Sequence, residues 1–334
     1  MPAVRVLAKR IAGVGRGRVA AASVALAAAL AACATPGDPI ASLTTPVPLD
    51  DGRTHVYWAD PTLDWTTSEL DPIAATATIG GANLDGSGIS ESAVTGVESP
   101  CGVAVDGSHL YWANRRQDSI GRSNLDGSGV ENLFVRAASG SFPCGVAVDE
   151  GFIYWANHGY GTRGTTIGRA SLDGSGADSR FIAGALNPCG VAVDREHIYW
   201  ANEGVTSTTG GTIGRARLDG SDVNSDFIAT DALLPCGVAV DGGFIYWADG
   251  GGGAIGRALL DGSAVDNAFI SGARWPCGVA VDAGHLYWGN AGESSGSTGA
   301  PAIGRARLDG SNVEEAWVTG MKGICGVAID SEER

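Results

Sequence analysis

The sequence predicts an all-β protein, a six-bladed β-propeller whose blades are four-stranded antiparallel sheets. Three motifs each occur six times with a period of 41 to 54 residues, and repetition at this length is typical of propellers. Tyr-Trp followed by Ala or Gly and then by Asp or Asn begins at Tyr57, Tyr111, Tyr154, Tyr199, Tyr246 and Tyr287. Leu-Asp-Gly-Ser begins at Leu84, Leu125, Leu172, Leu218, Leu260 and Leu308. Pro-Cys-Gly-Val-Ala-Val-Asp begins at Pro100, Pro143, Pro188, Pro235 and Pro276, with the variant Ile-Cys-Gly-Val-Ala-Ile-Asp from Ile324.

Each repeat contains four short segments with the character of strands. In residues 189–229 the first is CGVAVD, in which apolar and small residues alternate. The second, third and fourth are HIYWAN, TIGRARL and DFIA, which are rich in β-branched, aromatic or alternating apolar residues. Leu-Asp-Gly-Ser supplies an Asp-Gly turn between the third and fourth strands. The 52 glycines of the chain suit tight turns and close strand crossings rather than helices.

The Tyr-Trp and Leu-Asp-Gly-Ser motifs resemble those of the YWTD family, the class B repeats of low-density-lipoprotein-receptor proteins. The YWTD of the family stands here as YWAD, YWAN or YWGN, and its LDGS is intact. The resemblance extends over residues 54–330 and implies a six-bladed propeller. It also implies a binding role, because members of the family mostly bind proteins. The loops do not match, so no ligand-contact residue carries over, and a fold alone does not define a function.

The two ends of the repeat region predict how the ring closes. The first unit begins at His55 in HVYWAD and lacks a CGVAVD strand before it, whereas residues 325–330 have no Tyr-Trp strand after them. We expect the C-terminal strand to pair into the N-terminal blade as its innermost strand. This closure removes the exposed sheet edges of an open array.

Residues 1–32 have the pattern of a secretory signal peptide, in which basic residues precede an apolar run of Ala, Val and Leu. The run ends in LAAC, which resembles the lipobox of bacterial lipoproteins, where the cysteine is lipidated. Cys33 is therefore the predicted lipidation site, and an ordinary signal peptide with a chance cysteine is the alternative. Residues 33–53, rich in Pro, Thr and Asp, are predicted to tether a propeller of residues 54–330 to the lipid.

The chain is strongly acidic. Residues 1–32 hold five of the 22 basic residues and none of the 37 acidic ones, so the remaining chain has 17 basic against 37 acidic residues, a net charge of −20. Such a polyanion disfavours nucleic acids and anionic membrane surfaces as partners. We expect a monomeric domain in the bacterial cell envelope that faces the extracytoplasmic side. The lipid on Cys33 would attach it to the inner or the outer membrane.

Residues that recur in every unit are expected to belong to the scaffold. The Tyr-Trp pairs are predicted to pack between blades. The aspartates of the VAVD and LDG segments are expected in turns and caps, with Ca²⁺ binding by an acidic face as the alternative. A histidine stands two places before four of the Tyr-Trp tyrosines, and phenylalanine takes this place in two other units. Packing is therefore expected of these histidines rather than metal binding.

Candidate ligand-binding residues are those that depart from the repeat. Because successive strands are antiparallel, the loops between strands 2 and 3 and between strands 4 and 1 lie at one end of the propeller, the variable-loop face. Variable loops on a rigid scaffold commonly bind ligands, and aromatic and arginine side chains are common anchors. The candidates on this face are Trp65, Arg115, Arg116, Phe142, His158, Tyr160, Arg163 and Trp275. The alternative is that these loops are Gly- and Ser-rich surface without a ligand.

We expect a lipid-anchored binding or scaffold protein whose variable-loop face binds an envelope or extracellular protein, peptide or glycan. A structural envelope protein without a discrete ligand is one alternative, and a lactonase-like propeller hydrolase or lyase acting in the central channel is another. Such an enzyme needs unlike residues that converge on the channel, whereas the repeat predicts near-equivalent residues there. No catalytic residue, metal ligand or cofactor is therefore predicted. The GESSG segment, residues 292–296, lies in a loop without the strand–turn–helix setting of a hydrolase nucleophile.

The cysteines of the six CGVAVD segments are predicted to ring the channel at the variable-loop end: Cys101, Cys144, Cys189, Cys236, Cys277 and Cys325. An even number of cysteines in an exported chain favours disulfides. However, packed sheets lie about 10 Å apart, and a disulfide needs Cα atoms within about 4.4–6.8 Å of each other. The alternation of CGVAVD also places cysteine on the side of the valines, toward a neighbouring blade. We therefore favour buried free thiols, with disulfides or a metal or redox ring as alternatives.

Overall fold

The computed structural model describes residues 54–61, 77–159, 164–203, 210–292 and 299–330. These residues lie within one unit, Thr45–Arg334, and they form 24 β-strands with no α-helix among them. Among these residues, no helix has the length and hydropathy that a membrane span requires. The all-β class that the sequence predicts is confirmed.

The strands form six antiparallel sheets of four strands each. The first blade contains β1 (His55–Asp60), β2 (Thr78–Asn83) and β3 (Ser90–Val94), completed by β24 (Val327–Asp330). The second contains β4 (Pro100–Val105), β5 (His109–Asn114), β6 (Ser119–Asn124) and β7 (Glu131–Arg136), and the third β8 (Pro143–Val148), β9 (Phe152–Asn157), β10 (Thr166–Ser171) and β11 (Asp178–Ala183). The fourth contains β12 (Pro188–Val193), β13 (His197–Asn202), β14 (Thr212–Arg217) and β15 (Asn224–Ala229), and the fifth β16 (Pro235–Val240), β17 (Phe244–Asp249), β18 (Ala254–Leu259) and β19 (Asp266–Ser271). The sixth contains β20 (Pro276–Val281), β21 (His285–Asn290), β22 (Ala302–Arg307) and β23 (Glu314–Thr319).

The ring closes as the sequence predicts. The strand order of the first blade is β24-β1-β2-β3, so the C-terminal strand takes the innermost place. It pairs antiparallel with β1 in a register that joins Trp58 to Val327. A backbone hydrogen bond from the N–H of Cys325 to the carbonyl of Ala59, at 3.0 Å, extends the pairing beyond the strand itself. The two ends of the repeat region are thereby joined in one sheet.

Aromatic rings pack between neighbouring blades and are the largest side chains of the core. Each junction holds the tyrosine of one blade and the tryptophan of the next, as with Tyr57 and Trp112 at the first junction and Tyr111 and Trp155 at the second. The six Tyr-Trp pairs are the largest fully buried side chains in the described residues. Each such ring removes about 150–250 Å² of surface from water. The prediction that these pairs pack between blades is confirmed.

The glycine of each Ile-Gly pair makes room for the tryptophan of its own blade. Gly214 on β14 is directly opposite Trp200 on β13, and a Cβ placed on Gly214 would overlap the indole ring. The same overlap occurs at the five equivalent glycines, Gly80, Gly121, Gly168, Gly256 and Gly304. The absence of a side chain at this position therefore lets the indole lie flat across the neighbouring strand.

The repeated aspartates close turns, as expected. Oδ1 of Asp106 accepts a hydrogen bond from the backbone N–H of His109 at 2.7 Å, and its Oδ2 accepts from the hydroxyl of Tyr111 at 2.9 Å. Burial and the Asp106 carboxylate raise the pKa of Tyr111, so its hydroxyl remains a donor. In the Leu-Asp-Gly-Ser turn, hydrogen bonds from the side chain and backbone of Ser128 lower the pKa of the Asp126 carboxyl.

Substitution of one tryptophan-facing glycine tests this packing. We expect Gly214→Ala to lower the free energy of unfolding by about 1–3 kcal/mol, because the added methyl group overpacks the blade against Trp200. Gly242→Ala is the matched control, since a Cβ there would meet nothing within 4 Å. Urea unfolding measures both variants. Equal stability of the two variants would contradict the proposed role of the glycine.

Candidate functional site

The loops that the sequence assigns to the variable-loop face do lie side by side. Arg115, directly after β5, donates its backbone N–H to the carbonyl of Ser99, directly before β4, at 3.3 Å. In the sixth blade, Ala291 makes the same bond to Trp275 at 3.3 Å. These bonds bring the loop after the second strand of a blade beside the loop before its first strand. Both loops therefore belong to one surface.

Five of the eight candidate residues lie in the described part of the chain. His158 is buried and Trp275 is exposed, and three are partly buried: Arg115, Arg116 and Phe142. The other three candidates and the predicted lipidation site lie outside the described residues: Trp65, Tyr160, Arg163 and Cys33.

Four residues that directly precede a Pro-Cys motif have left-handed backbone, which is uncommon for residues other than glycine. The φ angle is 46° at Ser99, 45° at Phe142, 59° at Asn187 and 55° at Trp275. A residue held in this region costs on the order of 1–3 kcal/mol and persists only where its surroundings fix it. At Phe142, one such restraint is the hydrogen bond from its backbone N–H to Oδ1 of Asp118, at 2.8 Å. All four strained positions lie on the variable-loop face.

Side chains from three consecutive blades meet in a polar cluster, which consists of Arg115, His158, Asn187 and Glu203. Nε2 of His158 lies 3.0 Å from Oε2 of Glu203, and Nη2 of Arg115 lies 3.4 Å from Nδ1 of His158. Nδ2 of Asn187 donates to the same carboxylate oxygen at 2.9 Å. The Oδ1 atom of Asn187 is buried and has no hydrogen-bond partner within the described ranges. The cluster thus combines a guanidinium, a histidine–carboxylate pair and one free acceptor.

The expectation of near-equivalent residues around the channel is wrong at one position. The residue that follows each Tyr-Trp motif differs from blade to blade: Pro61, Arg115, His158, Glu203, Gly250 and Ala291. Ionisable side chains occupy this position in the second, third and fourth blades, and small or apolar residues occupy it in the others. Sequence reasoning missed Asn187 and Glu203 because it selected aromatic residues and arginines. An alignment of the six units shows that the residue at this position changes from blade to blade, and this departure from the repeat identifies Glu203 as a candidate.

Three large apolar side chains are exposed in successive loops beside the polar cluster and form an apolar arc, which consists of Leu186, Leu233 and Trp275. Their exposed fractions are 41%, 43% and 42%. Leu233 and Trp275 flank the glycine loop after β17: a Cβ on Gly251 would lie 2.6 Å from Leu233, and one on Gly250 would lie 3.8 Å from Nε1 of Trp275. Glycine at both places leaves the two apolar side chains uncovered. Leu186 directly precedes a member of the polar cluster, so the two groups adjoin.

The six cysteines form a closed ring of sulfur atoms, here called the sulfur ring. Two disulfides join neighbouring blades, Cys101–Cys144 and Cys189–Cys236, and their Cα atoms are 5.1 and 5.0 Å apart. Cys277 and Cys325 are free thiols. The other neighbouring Sγ atoms are also in contact, at 3.1 Å for Cys101 and Cys325, 3.6 Å for Cys144 and Cys189, 3.8 Å for Cys236 and Cys277, and 3.4 Å for Cys277 and Cys325.

The preference for free thiols is therefore wrong for four of the six cysteines. The inner strands lie closer than packed sheets because a glycine follows each cysteine: a Cβ on Gly102 would lie 2.5 Å from the carbonyl oxygen of Cys144. In addition, the register of β4 on β5 shifts between Pro100 and Val103. Such a bulge breaks the alternation of side chains along a strand. The cysteine therefore points to the sulfur ring and not to the valine side.

The sulfur ring also contains the potential metal ligands of the described residues. The ligand atoms of Cys101, Cys144 and Cys325 lie within 4.8 Å of one another, and so do those of Cys144, Cys189 and Cys236. Thiolates suit soft metals such as Cu(I) and also Zn²⁺. Each set includes a disulfide, however, and the thiolate is the form that binds metal. In this oxidation state neither set is a complete thiolate site.

The fold and its motifs define the protein as a closed six-bladed β-propeller. The family model described as low-density lipoprotein receptor repeat class B matches residues 108–150 and 243–283. Each match begins just before the second strand of a blade and ends just after the first strand of the next blade. Two segments of this propeller are thus similar to class B repeats of the low-density lipoprotein receptor type. A search of curated proteins finds no match.

Solved structures with the same fold come from proteins of different kinds. A chain in a crystal structure of a nidogen/laminin complex is 19% identical, with a TM-score of 0.62 over 84% of this chain and 100% of that one. A gluconolactonase from Xanthomonas campestris is 18% identical, with a TM-score of 0.53 over 77% of this chain and 86% of that one. A virginiamycin B lyase from Staphylococcus aureus is 20% identical, with a TM-score of 0.50 over 72% of this chain and 77% of that one. At these identities the likeness establishes the fold.

Proposed function

We propose that this protein is a lipid-anchored, extracytoplasmic binding protein whose variable-loop face binds an envelope or extracellular protein. The observation that carries the proposal is the exposed apolar arc of Leu186, Leu233 and Trp275 beside the polar cluster. Exposed apolar side chains that are grouped together mark interaction sites more often than isolated ones do. Tryptophan and arginine are the side chains most often found at the energetic centre of an interface.

The two groups on this face have complementary roles in such an interface. The apolar arc would exclude water, and the polar cluster would fix the orientation of the ligand. Arg115 and Glu203 are partly exposed, so a bound chain can reach the guanidinium and the carboxylate of the cluster. The class B repeat match supports a protein ligand, and so does the nidogen/laminin structure, because that propeller is part of a complex between proteins. A peptide or a glycan could use the same tryptophan and is the alternative ligand.

Removal of two neighbouring members of the apolar arc tests this face. We expect the double substitution Leu233→Ala and Trp275→Ala to weaken ligand binding by at least about 30-fold, the effect of losing a hot spot of about 2 kcal/mol. The full chain is cross-linked in intact cells of the source organism, and captured proteins are identified by mass spectrometry. The affinity of the captured partner is then measured for each variant.

The matched control is the double substitution Val223→Ala and Val265→Ala. These valines are similarly exposed, at 43% and 40%, but they follow the Leu-Asp-Gly-Ser turns at the opposite end of the propeller. The control should capture the partner as well as the natural protein does. A partner whose capture is unaffected by the changes at Leu233 and Trp275 would refute the proposed face. Binding to glycans without capture of any protein would assign the face to a glycan.

The lipid anchor is tested separately at Cys33. We expect cells supplied with labelled palmitate to label the natural protein, and the Cys33→Ser variant to lose the label and leave the membrane fraction. The reason is that several acyl chains on one terminus hold a protein stably at a membrane, whereas an unmodified tether does not. Cys277→Ser is the control and should keep the label. A Cys33→Ser protein that remains labelled would disprove this lipidation site.

A hydrolase or lyase at the channel end is the second candidate function. It is favoured by the unlike residues Arg115, His158 and Glu203 on consecutive blades, in contact at 3.4 and 3.0 Å. A histidine paired with a carboxylate can transfer a proton, and an arginine can stabilise a developing negative charge. The gluconolactonase and the virginiamycin B lyase with the same fold make lactones and virginiamycin B reasonable first substrates.

Replacement of His158 tests this second function. If it is correct, the purified protein turns over a member of a lactone panel, and His158→Ala lowers the rate by about 10²–10⁴-fold, the usual contribution of a general acid or base. His197→Ala is the control, because His197 belongs to the repeat. Elemental analysis of the same preparation shows whether a metal ion takes part. A natural protein that is inactive on the whole panel, or a His158→Ala variant with full activity, contradicts this function.

A further inference from the structure

The pairing of the sulfur ring is constrained by its geometry. Each blade contributes one sulfur, and each sulfur contacts the sulfurs of the two neighbouring blades, so a full set of disulfides must alternate round the ring. With the Cys101–Cys144 and Cys189–Cys236 bonds in place, the two remaining members are Cys277 and Cys325. These two are themselves neighbours, with Sγ atoms 3.4 Å apart.

The backbones at this third pair approach each other as they do at the bonded pairs. A Cβ on Gly278 would lie 2.8 Å from the carbonyl oxygen of Cys325, just as one on Gly102 would lie 2.5 Å from that of Cys144. The bonded pairs have Cα separations of 5.1 and 5.0 Å, within the range of about 4.4–6.8 Å that a disulfide requires. The same close approach recurs at all six junctions, so the two bonds already in place, and not the backbone spacing, leave Cys277 and Cys325 as the third pair.

We infer that Cys277 and Cys325 are a third disulfide site, and that its bond fixes the C-terminal strand β24 to the inner strand of the sixth blade. The two thiols lose two protons and two electrons, and an external disulfide oxidant such as oxidised glutathione accepts them and becomes two thiols. One S–S bond breaks in the oxidant and one forms in the protein. Cys277 is partly exposed and is the entry point for the oxidant, whereas Cys325 is buried and displaces the oxidant's second thiol.

The chemistry of the pair suits its second step. The contact between the two thiols lowers the pKa of Cys325, whereas the same contact and burial raise the pKa of Cys277. The thiolate is the nucleophile in disulfide exchange, so the more acidic thiol is suited to the displacement step. The charges of Glu203 and Arg115 also reach this pair, which places the polar cluster close to the sulfur ring.

The position of the third pair gives the bond its structural effect. Cys277 lies on β20 of the sixth blade, and Cys325 is separated only by Gly326 from the strand that completes the first blade. That strand, β24, has four residues, whereas the other innermost strands have six. The other two disulfides join the second blade to the third and the fourth to the fifth. With the third bond formed, the inner strand of every blade is covalently linked to that of one neighbour, and β24 is held beside β20 in the place where it pairs with β1.

Disulfide mapping of the full chain tests the pairing without any substitution. The protein is incubated with oxidised glutathione, denatured, alkylated and digested with trypsin, which places each of the six cysteines in a separate peptide. We expect no alkylated cysteine in the ring and a cross-linked pair of peptides 275–305 and 323–334. Alkylation of both Cys277 and Cys325 would overturn the inference. A bond between Cys101 and Cys325 would also overturn it, and so would a stoichiometric metal ion bound by six free thiols.

The stabilising effect of the Cys277–Cys325 bond is tested by thermal unfolding before and after oxidation of this pair. We expect oxidation to raise the melting temperature of the natural protein by roughly 5–10 °C, because the bond restricts the unfolded chain. Cys277→Ser is the control, and its melting temperature should not change with the same treatment. Each protein is compared with itself, so a general effect of the substitution on folding does not enter. An unchanged melting temperature in the natural protein would show that the bond does not stabilise the propeller.

Discussion

The close approach of the six inner strands at the channel axis is the contact on which the rest of the structure depends. It is possible because each cysteine is followed by a glycine: a Cβ on Gly326 would lie 2.8 Å from the Cα of Gly102, where the inner strands of the first and second blades meet. Any larger residue would push the inner strands apart. The blades diverge outward from this contact, and the widening space between them is filled by the buried Tyr-Trp pairs. The small residues at the axis and the large ones farther out are thus two parts of one tapered packing arrangement.

The same convergence creates the candidate site. His158 and Glu203 are 45 residues apart in sequence, yet their side chains meet at 3.0 Å, because the ends of neighbouring second strands are drawn together above the sulfur ring. The left-handed backbone at Asn187 then turns its side chain onto the same carboxylate. A wider ring of blades would hold these three side chains apart. Packing at the axis and chemistry at the variable-loop face therefore share one cause, the narrowness of the ring.

The repeat was sufficient to predict the fold, the blade boundaries and the closure, because six copies of a pattern constrain each strand many times over. It was not sufficient for the sulfur ring. The spacing of about 10 Å between packed sheets applies to the outer parts of the blades, whereas Cys101 and Cys144 lie where the blades converge. The register shift after Pro100 is also not visible in the alternation of apolar and small residues along the sequence. Glu203 was overlooked because its role depends on neighbours from other blades. The ligand role of all eight candidate residues and the lipidation of Cys33 stay predictions.

A symmetric ring presents a problem for specific recognition, because six equivalent blades would offer a ligand six equivalent orientations. In this propeller the blades differ from one another in one layer, the residues at the variable-loop end of the first two strands. The residues after the Tyr-Trp motifs are ionisable in the second to fourth blades and small or apolar in the other three, and the apolar arc begins at Leu186 and ends at Trp275. A ligand that approaches along the axis therefore meets hydrogen-bonding groups on one side and apolar surface on the other, which together define one orientation. Because the scaffold below this layer is nearly identical in every blade, specificity must come from the positions where the repeat is broken.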